Sequence, residues 1–246
     1  LRFRGNEFME GEFAGTDNAV SRLSVRLCKE AADACQALGG QVITIWLGFD
    51  GFDYPFQVDY EKNWNIIVRS FQEIADYAGE KGIKVSIEYK PCEPRAFSMI
   101  DGIGLTLQMI DEVDRPNIGV TLDFCHMLMK KENPAFAAAW LLERGKLYNI
   151  HLNDGEGSTD DGLMVGTVNF WKTVEVMYYL KKYDFQGVIY FDTFPKREKA
   201  VEECEANIKM CRRIEQLIDT YGLCRMEKVV EQNDAVAVSS MMVALL

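Results

Sequence analysis

Short, continuous apolar runs alternate along this chain with longer segments in which apolar residues are three or four positions apart. Six short, strongly apolar runs have the length and composition of strands. They cover residues 1–4, 41–48, 84–90, 117–123, 147–153 and 187–193. Five longer segments between them place apolar residues three and four apart, as amphipathic helices do. These segments are 17–38, 61–80, 133–145, 168–182 and 197–221.

Capping residues support two of the helices. Asp17 stands before the first helical segment, where a carboxylate accepts hydrogen bonds from free backbone N–H groups. Asn133 and Pro134 open the third segment and Gly145 closes it, which is the usual order of these residues around a helix.

The alternation predicts an α/β fold with a parallel sheet, because the strands are too apolar to have a face in water. Polar residues follow several different strands at their ends, which is typical of a barrel. No G-x-G-x-x-G follows a strand, so a dinucleotide fold lacks its signature. We therefore predict a (β/α)8 TIM barrel over residues 1–222. The chain starts inside an apparent strand, so we expect a barrel truncated at its N-terminus, with about six βα units.

Residues 223–246 form a predicted C-terminal helical tail that packs on the barrel or takes part in oligomer contacts. The 246 residues suit one domain.

A net charge of −11 argues against nucleic acid and anionic membranes as partners. No apolar run reaches the roughly 20 residues of a membrane span, and the start shows no secretion signal. We expect a cytoplasmic protein whose seven scattered cysteines are free thiols.

The only two histidines stand where predicted strands end, beside carboxylates. They are His126 and His151, and two further strands end in Glu88 and Asp192. Imidazole and carboxylate groups bind Mn, Co, Mg and Zn. Four convergent strand ends could supply a complete site.

Glu88 and Lys90 are two apart in a strand and therefore share a face. A carboxylate there could bind a metal, and an ammonium could polarise a substrate oxygen. The alternative is a buried structural ion pair. Asp123 and His126 are three apart across a strand end, where they could share one metal or bridge two; a D-x-x-H pair is a weak signal, and a plain loop histidine is the alternative.

An acidic, glycine-rich loop follows His151. It contains Asp154, Asp160 and Asp161, whose oxygens suit Mg or Mn, although such loops are often merely solvated. Trp46 heads a loop with Phe49 and Phe52 that could stack on a sugar or could be ordinary loop packing.

Several segments together resemble one family. IEYKPCEPR is similar to the E-x-K-P-x-E-P segment of xylose isomerase. The strand ends TLDFCH, NIHLND, DDGLMVG and YFDT follow in the order found in the xylose isomerase-like barrels. His151 and the D-x-x-H pair resemble the L-rhamnose isomerase branch more closely. The resemblance extends from about residue 41 to residue 220.

The resemblance implies a site with two divalent metal ions. Mn is the expected metal, and Co, Mg and Zn are the alternatives. Glu88, Asp123, His151 and Asp192 would hold one ion. Asp123, His126 and one or both of Asp160 and Asp161 would hold the other. Lys90, Asp123 and His126 would act in catalysis. Trp46, Glu88 and Lys90 are the candidate substrate-binding residues.

The implied function is a metal-dependent aldose–ketose sugar isomerase that moves hydrogen between C1 and C2. The expected substrate is a small sugar, and the expected assembly is a homo-oligomer, a tetramer by resemblance. One alternative is a single-metal ketose 3-epimerase. A zinc-dependent abasic-site endonuclease would need more histidines and a basic face. A last alternative is an inactive metal-binding fragment.

Overall fold

The computed structural model describes residues 1–246 and contains seven strands. They are β1 (Val42–Trp46), β2 (Gly51–Phe52), β3 (Lys84–Glu88), β4 (Phe97–Ser98), β5 (Ile118–Asp123), β6 (Leu147–Leu152) and β7 (Val188–Phe191). Five of them form a parallel sheet in the order β1-β3-β5-β6-β7, and β2 pairs with β4 in a short antiparallel ribbon. The sheet is a half-barrel, in agreement with a partial (β/α)8 fold.

Nine α-helices and one 3₁₀ helix (Asn6–Phe8) precede, connect or follow the strands. The α-helices are α1 (Asn18–Ala37), α2 (Tyr60–Glu80), α3 (Ile103–Val113), α4 (Phe124–Lys130), α5 (Pro134–Glu143), α6 (Phe170–Lys182), α7 (Ala200–Tyr221), α8 (Leu223–Val230) and α9 (Ala235–Leu245). All five helical segments predicted from the sequence are confirmed. None of the helices combines the length and apolarity that crossing a membrane requires.

The predicted caps are also confirmed. The Asp17 carboxylate accepts a hydrogen bond from the Ala19 N–H at 2.7 Å, and the Asn133 side chain accepts one from the Phe136 N–H at 2.9 Å. Gly145 adopts a positive φ of 63° just after α5. This left-handed conformation is inexpensive for glycine, which explains why the helix ends there.

The two-residue period of the strands separates the core from the site. In β1, Ile43 and Ile45 are buried in the hydrophobic core, while Thr44 and Trp46 line a cavity on the other side. Helices α1, α2, α3 and α5 cover the core face of the sheet. Residues of β5 are buried throughout, as expected for a central parallel strand.

Residues 1–4 do not form the predicted strand. Leu1 alone pairs with β1: its carbonyl accepts from the Trp46 N–H at 3.1 Å, and its amino group donates to the Thr44 carbonyl. Phe3 turns into the core, and Gly5, with a φ of 141°, leads into the 3₁₀ helix. The prediction of a strand over residues 1–4 was therefore wrong. Four apolar and polar residues in alternation do not reveal that only the first of them has backbone partners on β1.

Two helices and the β2–β4 ribbon were not predicted. α3 begins after Gly102 with no side-chain cap, so it lacked a start signal. α4 begins directly after β5, where a loop was expected for His126. The Asp123 carboxylate accepts from the His126 N–H at 3.0 Å and thereby caps this helix. The expected loop histidine is a helical one.

The C-terminal segment is helical, as expected. α8 and α9 pack against each other and against α7, and Met226, Met241 and Leu245 are buried in the same core as the sheet residues. Gly222, with a φ of 94°, separates α7 from α8. The division into residues 1–222 and 223–246 stays a prediction.

Candidate metal centre

The carboxyl ends of the parallel strands open into a cavity of about 860 Å³. Its lining includes seven of the candidate site residues, which lie at the ends of the five parallel strands or in the segments that follow them. They are Trp46, Glu88, Lys90, His126, His151, Asp160 and Asp192. Tyr190, Arg2 and Arg4 also line it. A parallel sheet brings these strand ends to one edge, so residues far apart in sequence meet there.

Four residues form a first cluster of potential metal ligands. Glu88, Asp123, His151 and Asp192 each present one ligand atom, and these atoms lie within 4.8 Å of one another. His151 Nδ1 is 3.1 Å from Glu88 Oε1 and 3.9 Å from Asp192 Oδ2. Ligands that share one divalent cation at about 2.1 Å lie roughly 3–4 Å apart, so this spacing suits a metal.

A second cluster shares Asp123 with the first. Asp123, His126 and Asp160 again present atoms within 4.8 Å of one another. His126 Nε2 is 3.2 Å from Asp160 Oδ2. A carboxylate common to both clusters is suited to bridging two cations.

Backbone contacts orient the His126 ring. Its Nδ1 lies 2.9 Å from the Tyr89 carbonyl oxygen. Because a carbonyl can only accept, Nδ1 carries a proton and donates it. Nε2 donates its own N–H to Asp160 Oδ2 while the ring is protonated, and a cation in the second cluster would take the place of that proton.

The clusters hold protons in the absence of a cation. Burial would lower the pKa of His126, but Asp123, Asp160 and Glu88 together raise it to about 9. Burial raises the pKa of Asp123 to about 6. Burial also raises the pKa of Asp192. Divalent cations displace such protons when they bind, so these shifts are of the kind that metal uptake removes.

The residues fit divalent cations on two counts. Four carboxylates surround two imidazoles and one ammonium, which leaves an excess of buried negative charge that needs a counter-charge. In addition, Asp160 Oδ1 is buried with no hydrogen-bond partner. A buried carboxylate oxygen without a donor is costly unless a cation faces it.

Lys90 belongs to this site through Asp160. Its Nζ is 2.9 Å from Asp160 Oδ2 and 3.2 Å from Glu93 Oε2, and it lies 5.7 Å from the Trp46 ring centroid. Burial would lower the pKa of Lys90, but the bonds to Asp160 and Glu93 raise it. The ammonium is therefore charged, and its ion-pair partner is Asp160 rather than Glu88.

The two adjacent aspartates of the acidic loop have different environments. Asp160 lies in the second cluster, whereas Asp161 is in neither. Asp161 accepts from the Glu156 N–H at 2.7 Å and from the Thr159 hydroxyl at 2.6 Å. Its carboxylate therefore stabilises the loop that carries Asp160.

Asp154 is likewise structural. It is fully buried and accepts from the N–H groups of Val168 and Asn169, both at 2.9 Å. These bonds connect the end of β6 to the start of α6. Asp154 and Asp161 thus organise the acidic loop, and Asp160 of the same loop belongs to the second ligand cluster.

Sequence reasoning gave no role to Asn153. Its side-chain amide donates to Asp123 Oδ2 and to the Asp192 carbonyl, both at 3.0 Å, and its oxygen accepts from the Cys125 N–H at 2.8 Å. Asn153 is fully buried and lies two residues after His151. The two-residue period could have identified it as a residue that orients Asp123.

The aromatic residues of the β1 loop have separate positions. Trp46 lines the main cavity, and Phe49 lines an adjoining one. Phe52 instead stacks on Phe97, with ring centroids 5.1 Å apart. Trp46 and Phe49 therefore reach a cavity, whereas Phe52 packs within the loop.

A family model described as the xylose isomerase-like TIM barrel matches residues 4–214. This chain belongs to the xylose isomerase-like TIM barrel family. It is 29% identical over 215 residues to a xylose isomerase of Thermus thermophilus, and the match covers 86% of this chain and 56% of that protein. The chain spans about half the length of the curated relatives it matches.

Solved structures of this fold superpose well on the chain. A 3-keto-D-glucoside 4-epimerase from E. coli matches with a TM-score of 0.66 at 20% identity, covering 82% of this chain and 75% of that one. A D-tagatose 3-epimerase-like protein matches with a TM-score of 0.65 at 22% identity, and the match covers 83% of this chain and 74% of that one. At these identities the likeness demonstrates the shared barrel fold. The half-barrel described here therefore corresponds to part of a xylose isomerase-like barrel.

Proposed function

We propose that this chain catalyses metal-dependent interconversion of an aldose and a ketose. The observation that carries the proposal is the arrangement of two ligand clusters that share Asp123, with the charged Lys90 bound to Asp160 in the second cluster. A matching relative named xylose isomerase supports the reaction class.

The residues divide between two cations. Glu88, Asp123, His151 and Asp192 would hold one, and Asp123, His126 and Asp160 would hold the other. Manganese is our first choice, with cobalt, magnesium or zinc as alternatives. When bound, such cations supply Lewis acidity to adjacent substrate oxygens.

The protein's own groups have distinct roles. The Lys90 ammonium stabilises negative charge that develops on a substrate oxygen in the cavity. Asp160 Oδ2 accepts a hydrogen bond from Lys90 Nζ and so holds the ammonium beside the second cluster. Without a cation it also accepts one from His126 Nε2, whose proton a bound cation would displace. Asn153 fixes Asp123, and Trp46 offers an apolar face that excludes water from the sugar.

A second candidate is a sugar epimerase that uses one metal. The first cluster alone already offers four ligands, with Glu88 and Asp192 on either side of His151. Several proteins of similar structure are named sugar 3-epimerases, among them a D-psicose 3-epimerase from Clostridium cellulolyticum. Such a reaction would yield a ketose from a ketose.

The test is a product analysis on aldoses and ketoses with added Mn or Co and with EDTA as the blank. The aldoses include L-rhamnose, L-lyxose, L-mannose and D-xylose, which also test the predicted L-rhamnose isomerase branch. We expect ketose formation that EDTA abolishes and that Lys90→Met lowers at least about 100-fold, because one transition-state electrostatic contact is worth this much. The matched control is Lys209→Met, on the exposed side of α7.

The other outcomes discriminate among the alternatives. Epimerised ketoses without any aldose would establish the second candidate. Stoichiometric metal binding without turnover would favour the inactive metal-binding fragment. The predicted homo-oligomer and cytoplasmic location stay predictions, and sedimentation of the metal-loaded protein tests the tetramer.

A further inference from the structure

The residues before the 3₁₀ helix present two arginines to the candidate site. Phe3 is 4% exposed, with its ring 5.3 Å from Phe8 and 5.6 Å from Phe13 in the core. Its neighbours Arg2 and Arg4 are exposed and line the cavity that contains the ligand clusters. This short segment therefore anchors itself through Phe3 and directs two guanidinium groups at the site.

Neither guanidinium has an acidic partner in the protein. Arg2 and Arg4 form no salt bridge and no side-chain hydrogen bond, although Glu93 and Asp192 line the same cavity. Arg95, by contrast, is paired with Asp53 at 2.6 Å. The Arg2 guanidinium lies 5.4 Å from the Trp46 ring centroid, and Lys90 Nζ lies 5.7 Å from the same centroid. Lys90 is paired with Asp160 and Glu93, so Arg2 is the cation beside this ring that lacks an anion.

The charge of the loaded site leaves these arginines in excess. Two divalent cations would offset the four carboxylates of the clusters, and Lys90 is offset by Glu93. Arg2 and Arg4 then contribute two positive charges that no protein group compensates. A neutral sugar would leave these two charges uncompensated. A carboxylate or phosphate would compensate them and accept hydrogen bonds from two N–H groups of each guanidinium.

The space beyond the clusters suits a longer substrate. A second cavity of about 620 Å³ shares Arg2, Arg4, Trp46, Lys90 and Glu93 with the first and continues toward Asn6, Phe49 and Pro94. The arginines therefore lie where the two cavities meet. A sugar with its reacting carbons at the metal ligands would extend its far end toward them.

We propose that Arg2 and Arg4 bind the terminal anionic group of an acidic sugar, so that the substrate class of this site is a uronate or a sugar phosphate. The inference rests on the proposed function for the reacting end of the molecule. The shared chemistry is a terminal oxyanion at the far end of the sugar.

The experiment compares sugars that differ only at their terminal carbon. Each hexose is tested with its uronate and its 6-phosphate, in the gluco, galacto and manno series, by calorimetric binding and by turnover of the Mn-loaded protein. The variants are the double replacement Arg2→Gln with Arg4→Gln and the charge-conserving Arg2→Lys with Arg4→Lys. Arg212→Gln, an exposed residue of α7 without a salt bridge, is the matched control.

We expect one anionic class to bind at least about tenfold more tightly than its neutral hexose, since a hydrogen-bonded charge pair is worth that factor or more. The glutamine pair should abolish this preference while binding of the neutral hexose and of Mn changes less than twofold. The lysine pair should restore part of it, and Arg212→Gln should retain all of it. Tighter binding of the uronate would identify a carboxylate as the terminal group of the substrate, and tighter binding of the 6-phosphate would identify a phosphate.

Equal affinity for neutral and anionic sugars, or a preference that survives in the glutamine pair, would overturn the inference. Metal-dependent turnover of neutral sugars alone would leave the proposed isomerase standing and remove the acidic substrate. Conversely, arginine-dependent binding of an anionic sugar without turnover in any series would support the inference and contradict the proposed reaction. Unchanged Mn binding in each variant shows that the protein has folded.

Discussion

At the scale of single residues, neighbours in sequence have different chemical environments. Asp160 has one buried oxygen without a donor and lies beside His126 and Lys90, which hold its pKa below the usual range although burial alone would raise it. Asp161 is bound by its own loop. A cation facing the unpaired Oδ1 would therefore stabilise Asp160 more than Asp161, whose two oxygens both have donors.

Replacing these two aspartates separately tests the second cluster. Asp160→Asn should weaken the binding of the second Mn ion at least about tenfold, because it removes a charged ligand. Asp161→Asn should change Mn affinity less than threefold. Calorimetric titration of Mn measures both affinities. A larger loss of affinity in Asp161→Asn would mean that Asp161, and not Asp160, is the metal ligand.

Glu12 and Asp50 form a buried carboxyl pair outside the metal centre. Glu12 accepts from the N–H groups of Phe49 and Asp50, and Asp50 accepts from those of Phe13 and Ala14. Burial and the neighbouring Asp50 raise the pKa of Glu12 to about 9. The pair therefore shares a proton at neutral pH and joins the loop after β1 to residues 12–14.

This pair predicts a pH dependence of folding. Glu12 binds its proton more tightly in the folded protein than in the unfolded chain, where its pKa is 4.5. Its contribution to stability is therefore complete below pH 4.5 and is lost as the pH rises to about 9. Glu12→Gln, which mimics the protonated acid, should flatten this decline in urea unfolding between pH 5 and 9. Glu7→Gln, at an exposed position, should retain the wild-type slope. A parallel decline in both variants would show that another group is responsible.

At the scale of elements, the strand ends and the helix starts are connected by carboxylates. Asp123 caps α4 and belongs to both ligand clusters, so one residue determines the start of a helix and would also help to position a cation. Asp154 accepts backbone hydrogen bonds at the start of α6 and at Gly155. Five helices were predictable because their apolar period is local. α3 was missed because it has no capping side chain, and α4 because seven residues are too few to show a period.

The Asp154 connection predicts a large loss of stability. Asp154→Ala should lower the free energy of unfolding by about 2–4 kcal/mol, because it leaves several buried N–H groups without an acceptor. Glu156→Ala, an exposed acidic residue of the same loop, should change it by less than about 0.5 kcal/mol. Urea unfolding gives both values, and similar values for the two variants would mean that the loop folds without this acceptor.

At the scale of the whole molecule, the candidate metal centre brings together segments from both halves of the chain. Glu88 lies at the end of β3 and Asp192 directly after β7, with Asp123 and His151 on the strands between them. A cation held by all four would connect the sheet from its second strand to its edge. Metal binding and stability are therefore linked.

This linkage predicts that Mn raises the melting temperature. At a free Mn concentration 100 times the Kd, the folded state gains about 2.7 kcal/mol, or roughly 5–11 °C for a chain of this size. EDTA should reverse the shift, and Asp123→Asn should reduce it, because Asp123 belongs to both clusters. Differential scanning calorimetry provides the measurement. An identical melting temperature with Mn and with EDTA would contradict the site.

The sequence by itself determined the alternation of strands and helices and the polar residues at the strand ends, because both follow from local periods and from residue types. The motif order also identified the family. The tertiary structure decided what depends on distant partners: Asp160 rather than Asp161 faces Lys90, which is 70 residues away, Asn153 fixes Asp123, and Arg2 and Arg4 face the cavity. Such contacts depend on how each loop crosses the edge of the sheet, and no periodic pattern in the sequence records that path.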